Sequence, residues 1–313
     1  MDNLDYGIIG NCRSAALVSK TGAIEWCCLP EFDSSSVFAK ILDENIGGSF
    51  EIMVDDSYRI SQEYLGNTSI LVTTFDNGSD AFELRDFMPR YYKDSNELHT
   101  PPEIIRYIKY RSGKPSFSVK YVPKLEYAIG ETISYVKNDF IISLTHTAKF
   151  DSLFLYSNFD LEAVANGTPI SVRADGYFVL GYNEKIFKPT IQKILLDFEL
   201  TKVYWLKWID KIPAYQQYQS EIIRSAITLK LLSYDKTGAV LAAATTSLPE
   251  TIGEVRNWDY RFCWIRDASM VINVLSQIDH KNMAKRYLQF IIDIILIKTR
   301  NCRSCTASTK RRC

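Results

Sequence analysis

Between Asn257 and Ser269 the chain runs Asn257-Trp258-Asp259-Tyr260-Arg261-Phe262-Cys263-Trp264-Ile265-Arg266-Asp267-Ala268-Ser269, which gathers aromatics, an amide and an adjacent Arg and Asp where a helix should begin. Arg266 and Asp267 on a helix start can offer a donor fork and an acceptor pair to neighbouring hydroxyls of one sugar, which is how a neutral polyol is held in water. Trp264 can stack beneath the ring through its C–H face. A purely structural reading stands beside this one: Asp267 serves the helix macrodipole, Arg266 pairs with a surface carboxylate and Trp264 fills the core. The polar stretch Thr245 to Glu250 just before the aromatics makes a loop, where binding residues concentrate, and both readings stay open at this level.

Such residues need a scaffold, and two kinds are legible. From about Gly48 to Asn183 short alternating runs, among them Ala81 to Phe87, Ile104 to Tyr110, Phe140 to Thr145 and Tyr177 to Tyr182, read as strands. Asn77-Gly78, Asn138-Asp139, Asn166-Gly167 and Asp175-Gly176 lie between them and suit hairpin turns that need positive φ. The expected outcome is an antiparallel β-sandwich over residues 1–189. Helical spacing then takes over. A linker helix is expected within residues 190–213, ended by Pro213, and further helices over Tyr215 to Ser233, Asp267 to Ile278 and Asn282 to Ile295. Gly238 reads as a stop signal and Asp279 as an N-cap.

Composition narrows the function. Lys plus Arg and Asp plus Glu balance at 37 each, so no overall field draws nucleic acid or an anionic membrane. No apolar run is long enough to cross a bilayer, and the first residues are acidic where a secretory signal is basic. Seven cysteines, with Cys27 and Cys28 adjacent, suit a reduced cytoplasmic protein better than a disulfide framework. His99 and His146 have no metal-ligand spacing, and no metal or cofactor is expected.

The aromatic run, together with S-A-I-T-L-K-L-L (Ser225 to Leu232), T-G-A-V-L-A-A-A-T-T-S-L-P-E (Thr237 to Glu250), Y-G-I-I-G-N-C-R-S-A-A-L-V-S (Tyr6 to Ser19) and I-E-W-C-C-L-P-E-F-D-S-S-S-V-F (Ile24 to Phe38), closely resembles the bacterial and archaeal branch of glycoside hydrolase family 15 over roughly residues 4 to 295. The resemblance implies an exo-acting, inverting α-glucosidase built as a β-sandwich, a linker helix and an (α/α)6 barrel that begins within residues 214–295. It implies a glucoamylase type acting on maltooligosaccharides or a related α-glucoside, with a trehalase of the same family as the alternative. From the residues alone, a non-catalytic carbohydrate-binding protein is a further alternative. Carried onto the matching positions, Tyr260, Trp264, Arg266 and Asp267 line the pocket for the terminal glucose. The run Trp26 to Ser34 either approaches the barrel mouth or forms a domain-interface strand and loop. Ala244 stands where many relatives have proline.

Inverting hydrolysis needs two carboxyl groups about 6.5–9.5 Å apart, one donating a proton to the leaving oxygen and one activating water. The resemblance places both on later barrel helices, and twelve such helices need well over about 200 residues. Both catalytic glutamates are therefore expected to be absent, and Glu250 and Glu254 do not replace them. Residues 296–313 look foreign: Lys298, Arg300, Arg303, Lys310, Arg311 and Arg312 come with no acid. A back-translation of this tail shifted in frame contains L-Q-I-M-Y-G-I, which resembles the family after this helix. A frameshift near Ile295 is the resulting expectation, and the downstream DNA tests it. The competing reading is a zinc site on Cys302, Cys305 and Cys313, which lacks a fourth ligand.

Overall fold

The computed structural model describes residues 5–94, 96–145, 151–246, 248, 251 and 253–298. Two antiparallel sheets face each other. The first is ordered Tyr6–Gly10, Ala15–Ser19, Ile24–Cys28, Ser49–Met53, Ser116–Val122, Ile170–Ser171, with Ser36–Phe38 attached to Ile24–Cys28. The second is ordered Thr132–Val136, Phe140–Thr145, Ser152–Ser157, Gly176–Tyr182, Glu103–Ser112, Ala81–Phe87, Leu71–Asp76, Arg59–Tyr64. Side chains from both inner faces, including Phe50, Phe82, Leu84, Ile104, Ile108, Phe117 and Phe178, fill the space between them.

The strand Glu103–Ser112 carries apolar residues on both of its faces. Ile104 and Ile108 point into the sandwich, whereas Ile105 and Tyr107 belong to a second cluster on the outer face of the sheet. That outer face is covered by a helix. After the short α1 (Leu161–Asn166), helix α2 (Ile191–Ile209) carries Ile194, Phe198, Thr201 and Trp205 as one buried stripe. Ile194 and Phe198 pack on the sheet, and Trp205 packs instead with α3 (Gln219–Leu231) and α4 (Ile265–Gln277), through Ile223, Ile227, Leu231 and Leu275. One stripe thus joins the sandwich to the helices. Helix α5 (Lys281–Lys298) returns along α4, with Ala268, Ile272, Tyr287 and Phe290 between them. None of the described helices is long and apolar enough to cross a membrane.

The sandwich followed by helices is as expected, with differences in detail. Strands also form before Gly48, at Tyr6–Gly10, Ala15–Ser19, Ile24–Cys28 and Ser36–Phe38, and at Thr132–Val136. In Ile24–Cys28 and Ser36–Phe38 nearly all residues are buried, which erases the alternation. Asn166-Gly167 is not a hairpin turn: Gly167, at φ 65°, caps α1, and its N–H donates to the carbonyl of Ala163. Gly238, at φ 83°, turns the chain between Ser233 and Val240, which form an isolated bridge, and α3 has already ended at Leu231. Asp279 is not a cap; it adopts φ 66° between α4 and α5. His146, Glu250, Cys302, Cys305 and Cys313 lie outside the described residues.

Candidate functional site

Residues 260–262 are laid against residues 242–243 by two backbone hydrogen bonds, Ala243 N to Tyr260 O at 2.9 Å and Ala242 N to Phe262 O at 3.3 Å. The next residue, Ala244, accepts at its carbonyl from the indole Nε1 of Trp26 at 2.8 Å. Strand Ile24–Cys28 of the sandwich therefore supports the loop that supports the aromatic segment. Of the two readings of the Trp26 to Ser34 run, the contacts are those of a domain-interface strand and loop.

Arg261 is the fixed point of the segment. It is 6% exposed, although it sits in a loop. Its Nε and Nη2 donate to the two carboxylate oxygens of Asp259 at 3.0 and 2.8 Å, and its Nη1 donates to the carbonyls of Ser34 at 2.8 Å and Phe32 at 3.2 Å and to Cys28 Sγ at 3.4 Å. Its guanidinium lies 5.7 Å from the ring centroid of Tyr127, within cation–π reach. Tyr127 is one of three consecutive non-glycine residues, Glu126 to Ala128, held at positive φ. Burial alone raises the Asp259 carboxyl, but the hydrogen bonds and charge of Arg261 outweigh it and hold it below its ordinary value. Burial pushes the Cys28 thiol up to about 12, so it remains a neutral packing partner.

Around this anchor the expected site residues come to the surface. Trp264 is 37% exposed and meets Trp258 edge to face, with centroids 6.3 Å apart at 89°. Tyr260 is half-buried. Trp264 immediately precedes α4, whose first turn carries Arg266 and Asp267 side by side, with Nη2 and Oδ2 3.4 Å apart. The Arg266 side chain is 76% exposed and that of Asp267 42%, so their mutual pairing is weak and leaves most donors and acceptors open to a ligand. The core-filling alternative for Trp264 does not hold. None of these four residues lines the clefts along α2.

The anchor itself was not singled out in the sequence. Asp259 and Arg261 stand two apart in a loop, where no periodicity tells which charge turns inward. Removing it has a defined consequence. Arg261→Ala strips Asp259 of its charged partner and takes a charged donor from the carbonyls of Phe32 and Ser34, the second of which keeps the Tyr127 hydroxyl at 3.3 Å, at an expected cost of about 2–4 kcal/mol. Arg261→Lys is expected to recover only part of this, because an ammonium cannot reproduce the fork. Urea unfolding followed by tryptophan fluorescence measures both; two variants as stable as the parent would show that the anchor carries no weight.

With the geometry in place, comparison with known proteins identifies the family. A family model described as "Trehalase-like, N-terminal" matches residues 5–149, and one described as "Glycosyl hydrolases family 15" matches residues 216–312. The chain belongs to glycoside hydrolase family 15. The second match runs into residues 296–312, the stretch that composition had set apart. Similar proteins include one named trehalase from Thermoplasma volcanium, 37% identical over 300 residues that make up 93% of this chain and 47% of the relative. A trehalase from Thermoplasma acidophilum is 36% identical over 290 residues, 89% of this chain and 48% of the relative. Trehalase 1 of Sulfolobus acidocaldarius is 35% identical over 292 residues, 92% and 48% respectively. The chain spans about half the length of the curated relatives it matches.

Proposed function

We propose that this chain is the sandwich-bearing half of a family-15 α-glucoside hydrolase whose substrate is trehalose, with residues 1–189 as the sandwich, 190–213 as the linker and 214–295 opening an (α/α)6 barrel. The observation that carries this reading is the naming of the relatives: proteins aligned over about nine-tenths of this chain are called trehalase, so the glucoamylase type expected first gives way to its alternative. Tyr260, Trp264, Arg266 and Asp267 hold one glucose unit of the disaccharide, Trp264 beneath the ring and the Arg-Asp pair at its hydroxyls. Hydrolysis itself takes a general acid at the glycosidic oxygen and a general base at water, and the family's glutamates for these roles belong to the part of the relatives that this chain does not span. The exposed apolar side chains of Ile265, Met270 and Val274 on α4 and of Leu288, Ile292 and Ile295 on α5 support that reading, because barrel neighbours would cover them.

Calorimetric titration with trehalose and with maltose, alongside a glucose-release assay, tests it. Trehalose is expected to bind saturably and more tightly than maltose, with no glucose released, and Trp264→Ala or Asp267→Asn should weaken binding at least about tenfold, the loss of one stacking or charged contact. Tighter maltose binding overturns the substrate assignment. Undiminished binding by the variants overturns the site, and released glucose overturns the account of the acid and base.

A further inference from the structure

A second concave region, with no role in the reading above, lies where the sandwich, α2, α3 and α5 meet. It has two adjoining parts. One is a cavity of about 200 Å³ that brings together Arg90, Lys211, Lys230 and Arg286 with two carboxylates, Asp235 and Asp279. The other is a cleft of about 310 Å³ along α2, walled by Tyr91, Tyr92, Tyr204 and Trp208. Tyr92, Tyr204, Trp208 and Lys211 line both, so the two spaces adjoin along these side chains.

The charges in the cavity do not balance. Asp235 is shared by three cations: Arg90, which touches Oδ2, Lys230 at 3.2 Å from Oδ1 and Arg286 at 3.5 Å from Oδ1. Asp279 pairs with Lys281 outside the cavity, at 3.4 Å. Arg90 and Lys230 are 2% and 5% exposed, so their charge acts in a poorly solvated wall where it is screened little. The first turn of α5 adds the positive end of an 18-residue helix, since His280, Asn282 and Met283 also line the cavity. Two buried polar atoms of the wall, Arg90 Nε and His280 Nε2, have no hydrogen-bond partner among the described residues. His280 lies flat on Trp208, with ring centroids 3.9 Å apart and planes 3° apart, which joins the cationic wall to the aromatic one.

A surplus of fixed positive charge beside a helix N-terminus suits a compact anion, and the neighbouring aromatic wall suits the C–H face of a sugar ring. We propose that the cavity and cleft form one binding site for a phosphorylated sugar, with its phosphate among Lys211, Lys230 and Arg286 and its ring against Tyr92 and Trp208. The ligand differs from the neutral disaccharide assigned to the Trp264 face, and the site lies on different elements.

Titration calorimetry with glucose 6-phosphate, inorganic phosphate and glucose, in the parent chain and in Trp264→Ala, tests this. Glucose 6-phosphate is expected to bind saturably in both proteins, at least tenfold more tightly than inorganic phosphate, and more weakly as sodium chloride is raised. The Lys211→Gln/Arg286→Gln double variant should lose at least tenfold for glucose 6-phosphate and for phosphate. Tyr92→Ala should lose affinity for glucose 6-phosphate alone. Lys211→Gln by itself, at an exposed position, repeats the test with a smaller loss should the double variant not fold. Equal affinity for glucose 6-phosphate and phosphate overturns the proposal, as do absence of binding, loss of binding in Trp264→Ala and unchanged binding in the cation variants.

Discussion

Arg106→Ala is expected to cost about 3–5 kcal/mol, a large share of the roughly 5–15 kcal/mol of a typical domain. Arg106 and Asp86 are both fully buried, on neighbouring strands of the second sheet. The guanidinium binds Asp86 through Nε at 2.9 Å and Nη2 at 3.1 Å, then reaches across the sandwich to the carbonyl of Phe50 at 2.6 Å and to that of Gly22. Its charge also lies 4.6 Å from the Phe50 ring centroid. Truncating it leaves a carboxylate and two carbonyls dry, each having lost a charged donor.

The pair itself is worth much less than its breakage. Burial pushes the Asp86 carboxyl upward, and the attraction and hydrogen bonds of Arg106 offset this only in part. Desolvation therefore consumes most of the Coulombic gain, and Arg106→Met combined with Asp86→Leu should recover much of the loss of either single change. Denaturant melts of the two single variants and the double variant measure the coupling. A double variant no better than the sum of the singles would show that Arg106 acts through the Phe50 and Gly22 carbonyls alone. In either case the two sheets lose a charged group that joins them across their interior, which is why the effect exceeds that of a surface ion pair such as Lys202 with Glu199.

The sequence shows strands well where apolar and polar residue types alternate and poorly where they do not. Ala81–Phe87 and Phe140–Thr145 have the bounds that the sequence pattern indicates. Ile24–Cys28 has Trp26, Cys27 and Cys28 all buried and no alternation to betray it. Helices are legible because burial on one side is periodic, and α2 keeps its stripe from Ile194 to Trp205 although its partner changes midway from sheet to helices. The candidate site divides in the same way. Trp264, Arg266 and Asp267 stand out by type and position at a helix start. Asp259 and Arg261 do not, because in a loop the same residue types serve either as ligand groups or as buried anchors. Only the tertiary contacts with Phe32 and Ser34, more than two hundred residues away in the chain, decide which.

A flat stability profile between about pH 4.5 and 6.5 is the second expected result, and it arises from two opposed groups. Glu103 is pushed up to about 7 from an ordinary 4.5, by burial first and then by the charge of Asp197, with Glu184 adding to it and Lys193 opposing. Its fold-favoured form is neutral, so the stability it confers is complete below pH 4.5 and is lost as pH rises through 7. His280 is pushed down to about 4 from 6.5, by burial first and then by Lys230 and Lys211, against Asp279. Its contribution is complete above pH 6.5 and is lost as pH falls through 4. Each shift is worth roughly 3 kcal/mol, so where the windows overlap the slopes cancel. Below that range Asp235 adds to the acid loss, since its carboxyl, raised by burial but lowered more by Lys230 and Arg90, sits at about 2. Glu103→Gln removes the alkaline loss and leaves the His280 slope exposed. Stability should then climb by about 3 kcal/mol from pH 4 to 6.5 and stay high at pH 8, where the parent has fallen. Urea melts at half-unit pH steps read this directly. A variant whose profile runs parallel to the parent's would show that Glu103 ionises freely in the fold. A parent that loses stability steadily from pH 6.5 to 4.5 would show that the opposition does not exist.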